Sequence, residues 1–161
     1  YTTLFRSQFS NPKNVACHRL TTAPEIHKNV IETGRVWDAF IHGAGTGGTI
    51  EGIRQYVSLH NLKTKICLVR PDESPHGIQG IGDGKDFLAD PLKMDRILEI
   101  KTEDAIERAK RFTKETGILV GISSGANILA SERWVQQNRP NGIVVTMLCD
   151  RGERYLSIFN K

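Results

Sequence analysis

A glycine- and threonine-rich run at residues 43–49 is the part of this sequence best suited to bind an anion. It reads Gly-Ala-Gly-Thr-Gly-Gly-Thr and joins an apolar run of strand length to a helical pattern. Glycine lets the backbone turn sharply and lets a ligand approach peptide N–H groups that no side chain screens. The start of the following helix adds partial positive charge, and Thr46 and Thr49 add hydroxyl donors. The run therefore predicts a phosphate site, and a tight turn that binds nothing is the alternative.

The spacing of three glycines in this run also fits a different ligand. Gly43, Gly45 and Gly48 match the G-x-G-x-x-G pattern of dinucleotide-binding folds, and Asp72, after the second predicted strand, would then contact a ribose hydroxyl. A nucleotide P-loop is excluded because Gly48-Thr49 stands where that motif needs Gly-Lys before Ser or Thr. From this loop alone, a nicotinamide-dinucleotide-binding oxidoreductase domain is a second hypothesis.

The elements that must position the loop alternate between strands and helices. Strands are predicted over residues 36–42, 65–70, 96–100 and 142–148, and helices over 24–33 and 125–137 and from residues 50 and 102 onward. Apolar strands without polar alternation are typical of parallel sheets covered on both faces. The predicted fold class is therefore α/β, with a mostly parallel sheet in a three-layer αβα arrangement.

Turn and cap residues set the expected ends of several elements. The Asn11-Pro12 pair predicts a turn in a polar opening segment. Thr102 is expected to cap the helix that follows it, and Gly117 is expected to end that helix. In the last helix, Val135 is expected on the apolar side.

Composition and charge exclude several classes of protein. The 161 residues are 39% hydrophobic and 25% charged, values typical of a folded globular chain with a buried core. No apolar run approaches the roughly 20 residues that a membrane-spanning helix needs. The net charge of +4 comes from interspersed signs, so neither a membrane nor a nucleic-acid partner is predicted. Three widely spaced cysteines suit packed thiols in the cytoplasm and predict no metal site.

Six short segments occur in the order in which the cysteine synthase (O-acetylserine sulfhydrylase) family carries similar ones. They are QFSNPKN at 8–14, TTAPEI at 21–26, GTGGT at 45–49, IQGIG at 78–82, GISSGA at 121–126 and GERYLS at 152–157. The chain resembles the C-terminal half of this family, which has the tryptophan-synthase-like fold and uses pyridoxal 5'-phosphate. The resemblance implies that residues 1–161 form the phosphate-binding domain of a two-domain enzyme. Because the chain also starts without Met, we expect it to be a piece of a longer protein.

The resemblance implies which residues would hold the cofactor. The family's phosphate loop corresponds to Gly45, Thr46, Gly47, Gly48 and Thr49. Ser123 corresponds to the serine that meets the pyridine nitrogen of the cofactor. A neutral hydroxyl gives that nitrogen little reason to stay protonated, which favours elimination at the β-carbon over competing carbanion chemistry. Helix capping by Ser123 or Ser124 is the alternative.

The resemblance also implies a substrate site. Gln8 matches a residue that helps hold the substrate carboxylate, with an ordinary exposed loop glutamine as the alternative. Gly80, Ile81 and Gly82 match the loop that closes over the bound amino acid, and two glycines suit a mobile lid. No partner acid or nucleophile is evident for His42 beside the phosphate loop, so we expect it to be a core residue.

The chain departs from the family at several positions. The Schiff-base lysine of the family lies upstream of Tyr1, so no catalytic residue is predicted here and the chain alone is expected to be inactive. Lys85, near the lid, matches no family position. The family carries roughly ten more residues, rich in glycine, between the counterparts of Ser74 and Pro75. The run that starts at Cys149 resembles B-type more than A-type isozymes.

The function implied by the resemblance is β-replacement, in which O-acetylserine and sulfide give L-cysteine. Relatives that use O-phosphoserine, or that make cystathionine as cystathionine β-synthases do, share most of these segments. A homodimer is expected, as in the family. A third hypothesis is a binding module that docks the tail of a serine acetyltransferase.

Overall fold

The computed structural model describes residues 7–82 and 87–159. In these ranges the helices are α1 (Pro12–Leu20), α2 (Thr22–Glu32), α3 (Gly48–Leu59), α4 (Thr102–Thr116), α5 (Ile122–Asn138) and α6 (Leu156–Phe159). The strands are β1 (Trp37–Gly43), β2 (Lys65–Pro71), β3 (Arg96–Ile100) and β4 (Ile143–Val145). They form one sheet in the order β3-β2-β1-β4, and every neighbouring pair is parallel. The predicted α/β class is confirmed.

Successive residues of the two central strands face opposite layers of helices. Ile41 and Val69 pack in a core cluster with residues of α4 and α5. Phe40 and Leu68 pack in a second cluster with residues of α2 and α3. Each large apolar side chain buried in this way contributes roughly 1.5–3 kcal/mol. Both sheet faces are covered, which confirms the three-layer arrangement and explains the continuous apolar runs.

Helix α1 stands where the sequence predicted a polar segment with a turn. The Asn11 side chain accepts a hydrogen bond of 3.0 Å from the Lys13 N–H, and Pro12 is the first helical residue. An asparagine cap followed by proline starts a helix here, so the turn prediction was wrong. Val15 is the buried residue of α1, so the helix carries no apolar periodicity from which it could be predicted.

The start of α4 also differs from the prediction. Gly117 ends the helix in the left-handed conformation, with φ of 74°, as expected. Thr102, however, is the first helical residue and not the cap. The Glu73 carboxylate accepts the Thr102 N–H at 2.6 Å, and the Thr102 hydroxyl accepts the Gly77 N–H at 2.9 Å. The helix start is therefore stabilised by a residue far from it in sequence.

Helix α5 begins earlier than predicted and includes both serines of its first turn. Gly121 is the N-cap, and no side chain makes the capping hydrogen bond. The interpretation of Ser123 or Ser124 as a helix cap was therefore wrong. Val135, expected on the apolar side, is 40% exposed.

Strand β4 is shorter than the predicted strand over residues 142–148. It ends at Val145, and the chain then turns toward α5. The Asn127 amide nitrogen donates to the Met147 carbonyl at 3.0 Å, in place of a ladder bond. This turn brings residues 147–149 to the start of α5.

Gly125 lets α4 and α5 lie in direct contact, and its replacement tests that contact. A Cβ on Gly125 would lie 2.1 Å from the Ala105 carbonyl oxygen and 2.9 Å from the Ala109 Cβ. We expect Gly125→Ala to lower the free energy of unfolding by about 2 kcal/mol, because overpacking outweighs the gain in helix propensity. Urea denaturation measures this, with Ser131→Ala on the same helix as the control. Equal stability of the two variants would contradict the tight contact.

Candidate active site

The glycine-rich run forms a sharp turn at the carboxyl end of β1. Gly47 is the N-cap of α3 with φ of 82°, a conformation that favours glycine. A Cβ there would lie 2.7 Å from the Ala89 nitrogen, so the site has no room for a larger residue. No side chain makes the capping hydrogen bond at the start of α3. The turn therefore presents a helix N-terminus at the sheet edge where ligands of parallel α/β folds bind.

The two threonines of the turn contact helix α1. The Thr46 Oγ1 accepts hydrogen bonds of 3.2 Å from the Asn14 Nδ2 and from the Gly48 N–H. The Thr49 Oγ1 lies 3.2 Å from the His18 Nε2. Both hydroxyl groups are thus held in place from the side of α1.

A cavity of about 420 Å³ opens beside this turn. Its volume lies in the usual range for small-molecule sites, about 300–1,000 Å³. Predicted site residues from three separate segments line it, namely Gly45, Gly80, Ile81 and Ser123. The fold therefore brings the glycine turn, the predicted lid and the first turn of α5 to one cavity.

Ser123 and Ser124 have different surroundings. Ser123 is buried within the protein and borders the cavity, where it hydrogen-bonds to the Cys149 thiol. The Ser124 Oγ accepts the Cys149 N–H at 3.1 Å, so this hydroxyl is engaged by the backbone. Desolvation raises the pKa of the Cys149 thiol to about 11, so the thiol is neutral. Because a thiol is a weak hydrogen-bonding partner, Ser123 is the serine that can exchange its partner for a ligand in the cavity.

The three cysteines do not share one environment. Cys67 is buried, as expected of a packed thiol, whereas Cys17 and Cys149 are exposed as residues, although surrounding atoms still desolvate the Cys149 sulfur. Cys149 borders the cavity, so the prediction that all three thiols are packed was wrong.

Asn127 links the end of β1 to the segment after β4 through hydrogen bonds beside the cavity. It is completely buried, and its Oδ1 accepts the Gly43 N–H at 2.8 Å. Its Nδ2 lies 3.1 Å from the His42 Nδ1 and donates to the Met147 carbonyl at 3.0 Å. Its role was not predicted from the sequence. The available signal was a polar side chain four positions after Ser123, on the same face of the helix.

His42 is a neutral member of this network. Burial, together with a smaller effect of nearby His18, lowers its pKa to about 4. A neutral imidazole accepts at one nitrogen, and the Asn127 amide assigns that role to Nδ1, which leaves the proton on Nε2. The expectation that His42 is a core residue fits its burial, although it also lines the cavity.

The low pKa of His42 predicts a loss of stability in acid. The unfolded chain takes up a proton near pH 6.5, whereas the folded chain does so only near pH 4. Stability from this residue is thus fully present above pH 6.5 and is lost as the pH falls toward 4. We expect a decrease of about 2 kcal/mol between pH 6.5 and about pH 5. Urea denaturation across this range should give a flatter profile for His42→Asn, and an unchanged profile would contradict the assignment.

The predicted lid lies against the glycine turn. Gly80 and Gly82 both have positive φ, 88° and 72°, and Ile81 between them is buried. The Gly82 N–H donates to the Ala44 carbonyl at 2.9 Å. The segment therefore closes one side of the cavity, and its movement over a substrate stays a prediction. Lys85 lies outside the described residues.

Gln8 and Asp72 do not line the cavity. Gln8 is exposed, and its backbone carbonyl accepts the Asn14 Nδ2–H at 2.9 Å. The role of its side chain toward a substrate carboxylate stays a prediction. Asp72 is exposed, and its N–H donates to the Ile100 carbonyl at 3.0 Å. The structure thus places the predicted ribose ligand of the dinucleotide hypothesis outside the cavity that Gly43 and Gly45 border.

The model of the pyridoxal-phosphate dependent enzyme family matches residues 2–150. This chain belongs to that family. Pyridoxal 5'-phosphate is therefore its cofactor, and the sheet described above is the corresponding part of the tryptophan-synthase-like fold. In the described residues, no helix of this family member is long and apolar enough to cross a membrane.

The chain is similar to several cysteine synthase relatives and solved structures. A cysteine synthase of Staphylococcus aureus (strain Mu50 / ATCC 700699) is 38% identical, over 93% of this chain and 51% of the relative. The structure of O-acetyl serine sulfhydrylase isoform 3 from Entamoeba histolytica superposes with a TM-score of 0.84 at 38% identity, over 93% of this chain and 47% of that one. The O-acetylserine dependent cystathionine beta-synthase from Helicobacter pylori gives 0.79 at 30% identity, over 93% and 51%. The chain spans about half the length of the curated relatives it matches.

Proposed function

We propose that the complete gene product is a pyridoxal-phosphate-dependent β-replacement enzyme that makes L-cysteine from O-acetylserine and sulfide. The observation that carries the proposal is the single cavity bordered by both Gly45 and Ser123. It allows one ligand to meet an anion-binding turn at one end and a neutral hydroxyl at the other. The names of the cysteine synthase relatives support the same reaction.

The residues around the cavity fit a phosphate-bearing pyridine. A Cβ on Gly45 would lie 2.6 Å from the Gly80 carbonyl oxygen, so only glycine leaves this edge of the turn open. The Thr46 hydroxyl accepts the Gly48 N–H, but the N-cap Gly47 has no side chain to accept the next N–H groups of α3, so the helix start suits a dianionic phosphate. Ser123 is a buried, neutral side chain that borders the cavity. A neutral hydroxyl at this position suits an unprotonated ring nitrogen.

In this proposal each segment of the chain has a task. Bound pyridoxal phosphate supplies a ring that withdraws electrons from the substrate. Gly45, Thr46, Gly47, Gly48 and Thr49 bind its phosphate through peptide N–H groups and hydroxyls. Ser123 donates to the ring nitrogen and, being neutral, does not keep a proton there. Gly80, Ile81 and Gly82 exclude water and, with Gln8, bind the substrate carboxylate.

We infer that residues 1–161 act as the phosphate-binding domain and need a lysine from another part of the protein for catalysis. The chain alone is then inactive. A homodimer, a cytoplasmic location and docking of a serine acetyltransferase tail are further parts of this proposal. Docking of the tail is tested by titrating the complete gene product with the tail peptide. Absence of binding would contradict this part of the proposal.

A second candidate reaction is cystathionine formation. The solved Helicobacter pylori relative, an O-acetylserine dependent cystathionine beta-synthase, favours it. A third candidate reaction uses O-phosphoserine as the β-substituted serine. All three reactions need the same phosphate turn and Ser123, so they differ in substrate and not in the cofactor site.

The test is a substrate panel on the complete gene product. O-acetylserine and O-phosphoserine are each supplied with sulfide or with homocysteine, and L-cysteine and cystathionine are measured. The proposal predicts that O-acetylserine with sulfide has the highest kcat/KM. Higher kcat/KM with homocysteine would select the second candidate. Tight binding of a nicotinamide dinucleotide, with no pyridoxal phosphate bound, would contradict the whole assignment.

A further inference from the structure

Two side chains of helix α1 contact the two threonines of the glycine turn. The Asn14 Nδ2 lies 3.2 Å from the Thr46 Oγ1, and the His18 Nε2 lies 3.2 Å from the Thr49 Oγ1. Asn14 and His18 are one helical turn apart and so lie on the same face of α1. Asn14 and His18, like Thr46 and Thr49, are not among the residues that border the cavity beside the turn.

Two glycines of α3 allow this close approach. A Cβ on Gly48 would lie 2.1 Å from the Asn14 Oδ1, and a Cβ on Gly52 would lie 2.7 Å from the His18 Cβ. Gly48 and Gly52 are also one turn apart, so they lie on one face of α3. This face, where the two glycines carry no side chains, packs against the face of α1 that carries Asn14 and His18. The packing of the two helices therefore fixes both side chains against the threonines.

The hydrogen bonds at Thr46 leave its hydroxyl proton for a third group. A hydroxyl has two acceptor sites and one proton. The Thr46 Oγ1 accepts from the Asn14 Nδ2 and from the Gly48 N–H, which fills both acceptor sites. Asn14 also donates to the Gln8 carbonyl at 2.9 Å, which orients its nitrogen, and not its oxygen, toward Thr46. Thr46 can thus act only as a donor toward a ligand.

His18 can act on Thr49 in the same way. Its Nδ1 lies 2.9 Å from the Thr22 Oγ1, and burial lowers its pKa, so the ring is neutral near pH 7. An anion at the turn selects the tautomer in which the Thr22 hydroxyl donates to Nδ1 and the Nε2–H donates to Thr49. The Thr49 proton is then also available to the anion.

We propose that Asn14 and His18 are positioning residues that direct the hydroxyl protons of Thr46 and Thr49 toward the phosphate of the cofactor. The inference rests on the proposed function, because it requires a phosphate at this turn. Through these two residues, α1 makes the site prefer a phosphate ester over the same ligand without its phosphate.

The test compares two ligands on the apo form of the complete gene product. Dissociation constants are measured for pyridoxal 5'-phosphate and for pyridoxal, which lacks the phosphate. Asn14→Asp keeps the side-chain shape but replaces the donor with an acceptor, which draws the Thr46 proton away from the phosphate. We expect its affinity for pyridoxal 5'-phosphate to fall about tenfold to a hundredfold, with the affinity for pyridoxal unchanged. Asn29→Asp, at an exposed position of α2, is the matched control and should leave both affinities unchanged.

His18 is tested by removal and rescue. His18→Leu removes the donor to Thr49, and we expect roughly a tenfold loss of affinity for pyridoxal 5'-phosphate alone. His18→Gln restores an N–H donor on a side chain of similar length and should recover most of that loss. If His18→Gln and His18→Leu are equally weak, the inference for His18 is overturned.

The outcomes separate this inference from the proposed function. Wild-type protein that binds both ligands equally would remove the phosphate site and with it the proposed function. A wild-type preference for the phosphate ester that Asn14→Asp leaves intact would overturn this inference alone. Equal loss of both ligands in Asn14→Asp would also overturn it, because a structural role would have that effect. If Asn14→Asp does not fold, Asn14→Ala replaces it, and unchanged phosphate preference in that variant overturns the inference.

Discussion

Asn127→Leu is expected to lower the free energy of unfolding by about 3–5 kcal/mol. The substitution leaves the Gly43 N–H and the Met147 carbonyl without their buried partner, and it removes the donor to the His42 Nδ1. Each buried polar group left unpaired costs about 1–3 kcal/mol, and the apolar side chain cannot replace these bonds. Urea denaturation of the complete gene product measures the loss.

The matched control is Asn138→Leu on the same helix. Asn138 is exposed and donates to the Trp134 carbonyl within its own helix, at 2.8 Å. Its replacement should change the free energy of unfolding by less than about 1 kcal/mol. If both variants lose the same small amount of stability, Asn127 does not hold the cavity wall together.

The Thr46→Ala/Thr49→Ala double variant is expected to weaken binding of pyridoxal 5'-phosphate by about 3–4 kcal/mol, roughly a hundredfold to a thousandfold. Each hydroxyl would lose one charge-assisted hydrogen bond to the phosphate, worth about 1.5–3 kcal/mol, while the peptide N–H donors of the turn remain. Titration of the apo form of the complete gene product with the cofactor measures the change.

The control for this variant removes two threonines that face no ligand. The hydroxyls of Thr113 and Thr116 donate to carbonyls of their own helix, Ala109 at 3.0 Å and Phe112 at 2.7 Å. Thr113→Ala/Thr116→Ala should therefore leave cofactor affinity unchanged. Unchanged affinity in the Thr46→Ala/Thr49→Ala variant would place the phosphate elsewhere.

Much of the fold could be predicted because its signals are local. The apolar strands, the alternation with helices and the glycine turn between β1 and α3 each depend on neighbouring residues. The end of α4 at Gly117 was predictable for the same reason. These signals identified the three layers and the glycine turn, whereas the resemblance to the cysteine synthase family pointed to Ser123 and to the segment from Gly80 to Gly82.

The missed features depend on partners far away in the sequence. Glu73 stabilises the start of α4 across 29 positions, and Asn127 reaches Gly43 across 84. Helix α1 buries little of its own surface, so its role depends on contact with α3. No local pattern encodes such pairings, so they became visible only in the folded chain.

The central claim is that the turn from Gly45 to Thr49 and the hydroxyl of Ser123 hold the two ends of one pyridoxal phosphate. The most direct measurement is a crystal structure of the complete gene product with this cofactor. The account predicts phosphate oxygens within about 3.2 Å of peptide nitrogens of the turn, and the ring nitrogen at a similar distance from the Ser123 Oγ. A phosphate bound away from the turn, or a ring nitrogen out of hydrogen-bonding reach of Ser123, would contradict it.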